Sequence, residues 1–419
     1  MPILLLAWKS LLNRRVTALL TLLSIALSVA LLLGVERLRH EARTSFANTL
    51  SGTDLIVGAR SGPVQLLLYA VFRIGDATNN ISWQSYQDIA NLPGVAWSVP
   101  LSLGDSHHGY RVLGTTAAYF TRYRYARDRA LALAQGEVFA DLYDAVLGAE
   151  VAAKLGYRVG DEIVVAHGAG DVSFARHDDK PFRVAGILKP TGTPVDQTVH
   201  VSLEAIEAIH VDWQAGAPVP SVSISAEQTR ELDLTPKAIT AALIGLKSKI
   251  ATFQVQRAIN NYPEEPLLAI LPGVALSQLW ELIGIAENAL LVVSAFVVLV
   301  GLVGMLTALL TSLSERRREM AILRSVGARP WHVFALIMGE AGVLTLLGVG
   351  LGLVLLYGLL LVSQPLLQGW FGIFVGLGAP GLGEWLLLAG LVLAGGLVGS
   401  IPAYLAYRHA LVDGLSIRL

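Results

Sequence analysis

SERRREMAILRSVGAR, residues 314–329, lies between two long uncharged segments, and its reading decides the fold. It packs Arg316, Arg317, Arg318, Arg324 and Arg329 into one short loop, and short basic loops of membrane proteins stay cytoplasmic. Met320, Leu323 and Val326 recur at i, i+3 and i+6, with Ile322 beside them. That spacing puts an apolar stripe on one helical face and most of the arginines on the others. Gly327 supplies a helix stop and Pro330 follows beyond it, the usual order of breakers at a C-terminus. The segment reads as a short amphipathic helix at the cytoplasmic surface. Its stripe either docks on a partner or serves as a juxtamembrane anchor on anionic lipid.

The 419 residues are 54% hydrophobic and only 15% charged, with mean hydropathy +0.58. Soluble domains average roughly 25% charged residues, so this is a membrane protein. Uncharged runs occupy 16–35, 288–313, 341–383 and 385–407. A helix needs about 20 apolar residues to cross the bilayer, so the first, second and fourth runs each fit one crossing. The third reads as a helix ending near Leu366, followed by an uncharged extracytoplasmic loop through Trp370, Phe371 and Pro380. Four transmembrane helices result. Arg408 and Arg418 join the basic loop on the cytoplasmic side, and an even number of crossings puts Lys9, Arg14 and Arg15 there too. Arg37, Arg39 and Arg43 follow the first crossing on the outer side, so that helix alone casts no vote. No small-residue cleavage site follows Val35, and the first run is read as retained rather than as a signal peptide. A net charge of −1 gives no support for nucleic-acid binding, and the absence of cysteine is ordinary for the envelope of a bacterium.

The expected organisation is a cytoplasmic interfacial helix at 1–15, a first transmembrane helix with its stalk at 16–39, and a large extracytoplasmic α+β domain at 40–273. A second stalk and crossing (274–313), the basic loop (314–330), a third crossing (331–366), an outer loop (367–384), a fourth crossing (385–407) and a tail (408–419) complete it. Leu4, Leu5, Trp8, Leu11 and Leu12 give the first segment its apolar face. Within the outer domain, strands are expected at 54–58, 97–103, 110–113, 162–167, 182–188, 198–203 and 221–225. Helices are expected at 85–90, 149–155, 203–209 and 236–249, and a hairpin tip at 168–179. Val35, Leu38, Ala42 and Phe46 keep a helical rhythm after the first crossing, as do Leu276, Leu279, Trp280 and Ile283 before the second. These are read as paired stalks.

One crossing, a large outer domain and three further crossings resemble the permeases of FtsX/MacB-type ABC transporters. ERRREMAILRSVGARPWHV (315–333) is similar to that family's signature where the chain docks on the ATPase. LLAWKSLLNRRVTALLTLLSIALSVALLLGV (5–35) is similar to its opening segment, and AVLGAEVAAKLGYRVGDEIVV (145–165) to a recurrent unit of its periplasmic part. The resemblance implies an ATPase-docking set of Arg316, Arg317, Arg318, Glu319, Met320, Ile322, Leu323, Arg324, Val326 and Gly327. No G-x-x-x-x-G-K-[ST] occurs in the sequence, so ATP and magnesium are expected on a separate ATPase subunit, and this chain is not expected to be an enzyme. Because such ATPases work in pairs, a second permease chain is expected, as a homodimer packed through small membrane residues. Membrane lipid and an extracytoplasmic protein complete the expected partners. The implied function is a mechanotransmission permease, coupling ATP hydrolysis to movement of the outer domain for transport, extraction or export. Two alternatives stand beside it: a scaffold activating an extracytoplasmic partner, and a component of a metal-uptake system.

Other constellations are weighed on their chemistry. Gly348–Gly352 and Gly395–Gly399 have the GxxxG spacing of close helix packing. Apart from Glu287 and Glu340, the crossings carry no charge, which argues against a polar pathway. Leu66, Leu67, Leu68, Tyr69 and Phe72, within QLLLYAVFRI (65–74), form either a core element or an exposed apolar hook for a substrate or partner. Most histidines fall in the outer domain, where His107, His108 and His177 sit beside carboxylates and are the candidate metal ligands. No HxH or HxxxH repeat accompanies them, so no metal is expected. His200, on a strand face with Thr198 and Ser202, is expected at the surface.

Overall fold

The computed structural model describes residues 15–126, 128–168, 175–214, 217–218, 224–315, 320, 322, 325–371 and 377–412. The interfacial helix expected at 1–15, apart from Arg15, and the tail 413–419 fall outside the described residues, as does most of the strand expected at 221–225. Two compact units emerge: Met1–Ala42 with Gly284–Leu419, and Arg43–Ile283.

Along the chain, helix α1 (Arg15–Thr49) precedes strands β1 (Leu55–Ala59), β2 (Val95–His107), β3 (Tyr110–Thr115), β4 (Leu133–Gly136), β5 (Asp144–Leu147), β6 (Ala166–His167), β7 (Phe182–Leu188) and β8 (Thr198–Ser202). Helix α2 (Leu203–His210), strands β9 (Ala241–Leu246) and β10 (Leu267–Ile270), and helices α3 (Pro272–Glu315), α4 (Pro330–Phe371) and α5 (Leu382–Val412) follow.

In the unit Arg43–Ile283 the strands form one mixed sheet in the order β10-β1-β9-β2-β3-β8-β5-β7-β4. β8 runs parallel to β3 and β7 parallel to β5, while the other neighbours in this path are antiparallel. Every residue of β1 and β5 is buried, so these strands are covered on both faces.

That double coverage corrects two expectations. Residues 236–249 are not a helix: Ala241–Leu246 is β9, paired with β1 and β2. An apolar run without alternation fits a buried strand as well as a helix, and the sheet decides. Gly245 is required there, since a Cβ would lie 2.1 Å from the Trp97 ring. His200 is fully buried rather than exposed, because β8 lies inside the sheet between β3 and β5.

Among the described residues, four helices are long and apolar enough to cross a bilayer: Arg15–Glu41, Pro272–Leu313, Pro330–Gln364 and Leu382–Arg408. Gly348 and Gly352 of α4 lie against Ile25 and Val29 of α1, where a Cβ would approach to 2.6 Å in each case. Gly395 and Gly399 of α5 lie equally close to Thr345 and Ala341 of α4. Small residues thus let these helices approach within one chain. Arg37 and Arg39 are paired rather than directing topology: Arg37 Nε donates to Glu384 at 3.1 Å and Arg39 Nε to Glu287 at 2.9 Å. These pairs tie α1 to α5 and to α3. Helix α4 runs on to Phe371, past the end expected near Leu366, since a continued helix keeps backbone N–H and C=O groups paired where water is scarce.

Candidate functional site

Of the docking residues, Met320, Ile322, Val326 and Gly327 are described, whereas Arg316, Arg317, Arg318, Glu319, Leu323 and Arg324 lie outside the described residues. Gly327 has φ 99°, the left-handed conformation of a helix stop. The Val326 N–H donates to the Ile322 carbonyl at 3.2 Å, closing a helical turn. The expected stripe divides. Met320 packs against Val333, Ile337, Ala403 and Ala406, filling the cytoplasmic end of the bundle. Ile322 and Val326 instead stand 57% and 83% exposed. Trp331, also largely exposed, stacks on Phe334 with ring centroids 5.0 Å apart. The sequence pattern of the basic loop gives Trp331 no role. A bulky aromatic one residue past the proline was the available signal.

The segment read as either a core element or an exposed hook is core. Leu66, Leu67, Tyr69 and Phe72 are buried and Leu68 is partly so. The chain forms one helical turn at Pro63–Leu67 and a π-helical turn at Leu68–Phe72, closed by Arg73 in the left-handed region. Its apolar side chains are drawn inward because the outer ends of both stalks lie on it. Phe46, near the end of α1, packs on Phe72 with centroids 4.3 Å apart and on Trp280 of α3 at 5.5 Å, edge to face. Arg43 lies over the Trp280 ring at 5.4 Å. Ala275 and Leu276 of α3 join the same core. The Tyr123 hydroxyl donates to the Thr49 carbonyl at 2.5 Å, meeting an acceptor that a helix end leaves without an intrahelical donor. The two stalks therefore converge on one aromatic socket.

The candidate metal ligands do not converge. Both ring nitrogens of His107 are engaged, Nδ1 2.7 Å from the Val164 carbonyl oxygen and Nε2 3.1 Å from the Tyr157 hydroxyl. His108 is exposed in a left-handed turn. His177 is buried, and burial pushes its imidazole down to about 4, with His210 beside it adding to the effect. The groups that do meet are Asp105, His167 and His210, which no sequence spacing connected.

The chain matches two family models, the MacB-like periplasmic core domain over residues 18–262 and the FtsX-like permease C-terminal over residues 291–411. Neither describes an ATPase. An uncharacterized ABC transporter permease of Methanocaldococcus jannaschii is 25% identical over 233 residues, 55% of this chain and 52% of that protein. The macrolide export ATP-binding/permease protein MacB of Azoarcus sp. is 25% identical over 361 residues, 80% of this chain and 49% of that protein. The chain spans about half the length of these curated relatives. Among solved structures, the periplasmic region of MacB from Actinobacillus actinomycetemcomitans covers 55% of this chain and 94% of its own, with a TM-score of 0.34 and 10% identity. With one model matching more than half of the sequence and four helices of membrane-crossing length, the chain belongs to the FtsX/MacB-type family of ABC transporter permeases, as a multi-pass inner-membrane protein with an extracytoplasmic α+β domain.

Proposed function

We propose that this chain is the permease subunit through which a separate ABC ATPase, holding ATP and Mg2+, moves the extracytoplasmic domain to drive transport, extraction or export. The observation that carries this reading is the aromatic socket. α1 and α3 are single helices of 35 and 44 residues, longer than the roughly 20 needed for a crossing. Their outer ends meet at Phe46, which packs on both Trp280 and Phe72. Continuous helices that share one packed seat pass on displacement rather than absorb it.

At the cytoplasmic end, Ile322, Val326 and Trp331 are, among the described residues, the apolar groups turned outward from the basic loop, and they suit a groove on the ATPase better than the inward Met320 does. One chain offers one such loop, so a pair of ATPases calls for two permease chains. Gly348, Gly352, Gly395 and Gly399 are already used between helices of one chain, so the seam of a homodimer falls elsewhere.

Co-purification with the ATPase tests the docking assignment. Val326→Asp and Ile322→Asp should detach the ATPase while leaving the melting temperature of the permease unchanged, because both positions are exposed. Met320→Asp should instead lower that melting temperature, since it buries a carboxylate at the end of the bundle. Retention of the ATPase by both exposed-site variants would overturn the assignment.

A further inference from the structure

Asp105 lies near the end of β2, His167 is its registered neighbour in β6, and His210 is the last residue of α2. Their ligand atoms form a small triangle. His167 Nδ1 is 3.1 Å from Asp105 Oδ1, His210 Nε2 is 3.3 Å from His167 Nδ1, and His210 Nε2 is 3.6 Å from Asp105 Oδ1. A tetrahedral ion about 2.0–2.1 Å from each nitrogen or carboxylate ligand holds those ligands about 3.3–3.4 Å apart by geometry alone.

The outer hydrogen bond points the same way. His210 Nδ1 lies 2.8 Å from the Ile206 carbonyl oxygen, which only accepts, so this nitrogen donates and Nε2 is left facing Asp105 and His167. Three potential ligand atoms thus face one point. The Ile206 carbonyl is the kind of outer partner that fixes the tautomer of metal-binding histidines.

The surroundings add a buried histidine and an apolar wall. His177 packs edge-on against His210 with ring centroids 5.1 Å apart, and its Nε2 is buried with no hydrogen-bond partner. The Trp213 ring lies 5.2, 4.8 and 5.4 Å from the rings of His167, His177 and His210. The Asp105 side chain is 4% exposed and that of His167 42%, so the cluster is rooted in the domain yet open on one side to an entering ion.

We propose that Asp105, His167 and His210 hold a divalent transition-metal ion, zinc by their donor set, on the extracytoplasmic domain. Bound there, the ion fastens β6 to the end of β2 and to α2. The proposal stands apart from ATPase coupling and does not depend on it.

The test uses the full-length protein in detergent, stripped with a chelator and titrated with ZnCl2 by calorimetry, then with CoCl2 to read coordination from its visible absorption. The expected results are one saturable ion per chain, a melting temperature raised by zinc, and the intense cobalt bands of a tetrahedral site. His167→Ala and Asp105→Asn should each weaken zinc binding by more than the roughly 10–100-fold that loss of an outer-shell partner costs. Melting in chelator checks their folds: His167 is partly exposed, and Asn preserves the shape of Asp105. His108→Ala, exposed and outside the cluster, should bind as the parent does. Unsaturable zinc uptake by the parent, or parent-like affinity in both cluster variants, would overturn the site and leave a metal-free hydrogen-bonded triad.

Discussion

His200 has no exposed surface, and its Nδ1 lies 3.1 Å from the Val146 carbonyl oxygen, which keeps that nitrogen protonated. Tyr119 and Phe120 pack on the ring at 5.5 and 5.6 Å. Burial pushes the imidazole down to about 3, against which the Val146 carbonyl pulls weakly upward. An unfolded histidine titrates near 6.5. Between those values the unfolded chain takes up a proton that the folded chain refuses, so stability falls as pH drops. From pH 6.5 to 4 this one group removes on the order of 3 kcal/mol. His200→Asn should lower stability at neutral pH yet flatten its acid dependence. Thermal unfolding at pH 7, 6, 5 and 4 reads both effects, and an acid slope identical to the parent's would reject the assignment.

At the scale of elements, the decisive contact is between the ends of α1 and α3. Edge-to-face aromatic pairs contribute about 0.5–1.5 kcal/mol beyond the area they bury. Phe46→Ala and Trp280→Ala should each destabilise the extracytoplasmic unit. The double variant should cost less than the two together by about that amount, because residues in contact are not additive. A strictly additive cycle would show that the stalks end side by side without coupling. The crossings themselves were legible in the sequence because charge-free runs of bilayer length have few alternative uses. Paired stalks were legible from the rhythm of Phe46 and Trp280, but their seat was not. Leu66 to Phe72 reads as an apolar patch until the partners that cover it are known. β9 was misread for a related reason: Ala241–Leu246 has no alternation, and only its pairing with β1 and β2 makes it a strand. Asp105, His167 and His210 were invisible as a cluster, since a β-ladder and a helix end bring together positions far apart in the chain.

For the whole molecule, the question is whether nucleotide on the ATPase reaches the extracytoplasmic domain. A ligand shifts an equilibrium only by its differential affinity for the two states. If the proposed coupling holds, ATP must favour one arrangement of two permease chains, conveyed from Ile322 and Val326 through α3 and α4. Nitroxide labels report such a change directly, and the sequence contains no cysteine to compete for them. Leu38 on α1 and Leu282 on α3 are suitable sites, being 40% and 64% exposed, whereas Leu279 at 7% would disturb packing. Distances between equivalent labels in the two copies should differ between ATP-bound and nucleotide-free complexes. The Phe46→Ala, Trp280→Ala variant supplies the internal control. If motion passes through the aromatic socket, the labels on the helices still move in this variant, while a label on the outer sheet, at exposed Ala96 beside the start of β2, moves less than in the parent. Label distances that stay the same in both nucleotide states would sink the mechanotransmission reading. The protein would then stand as a fixed scaffold that holds an extracytoplasmic partner against the membrane.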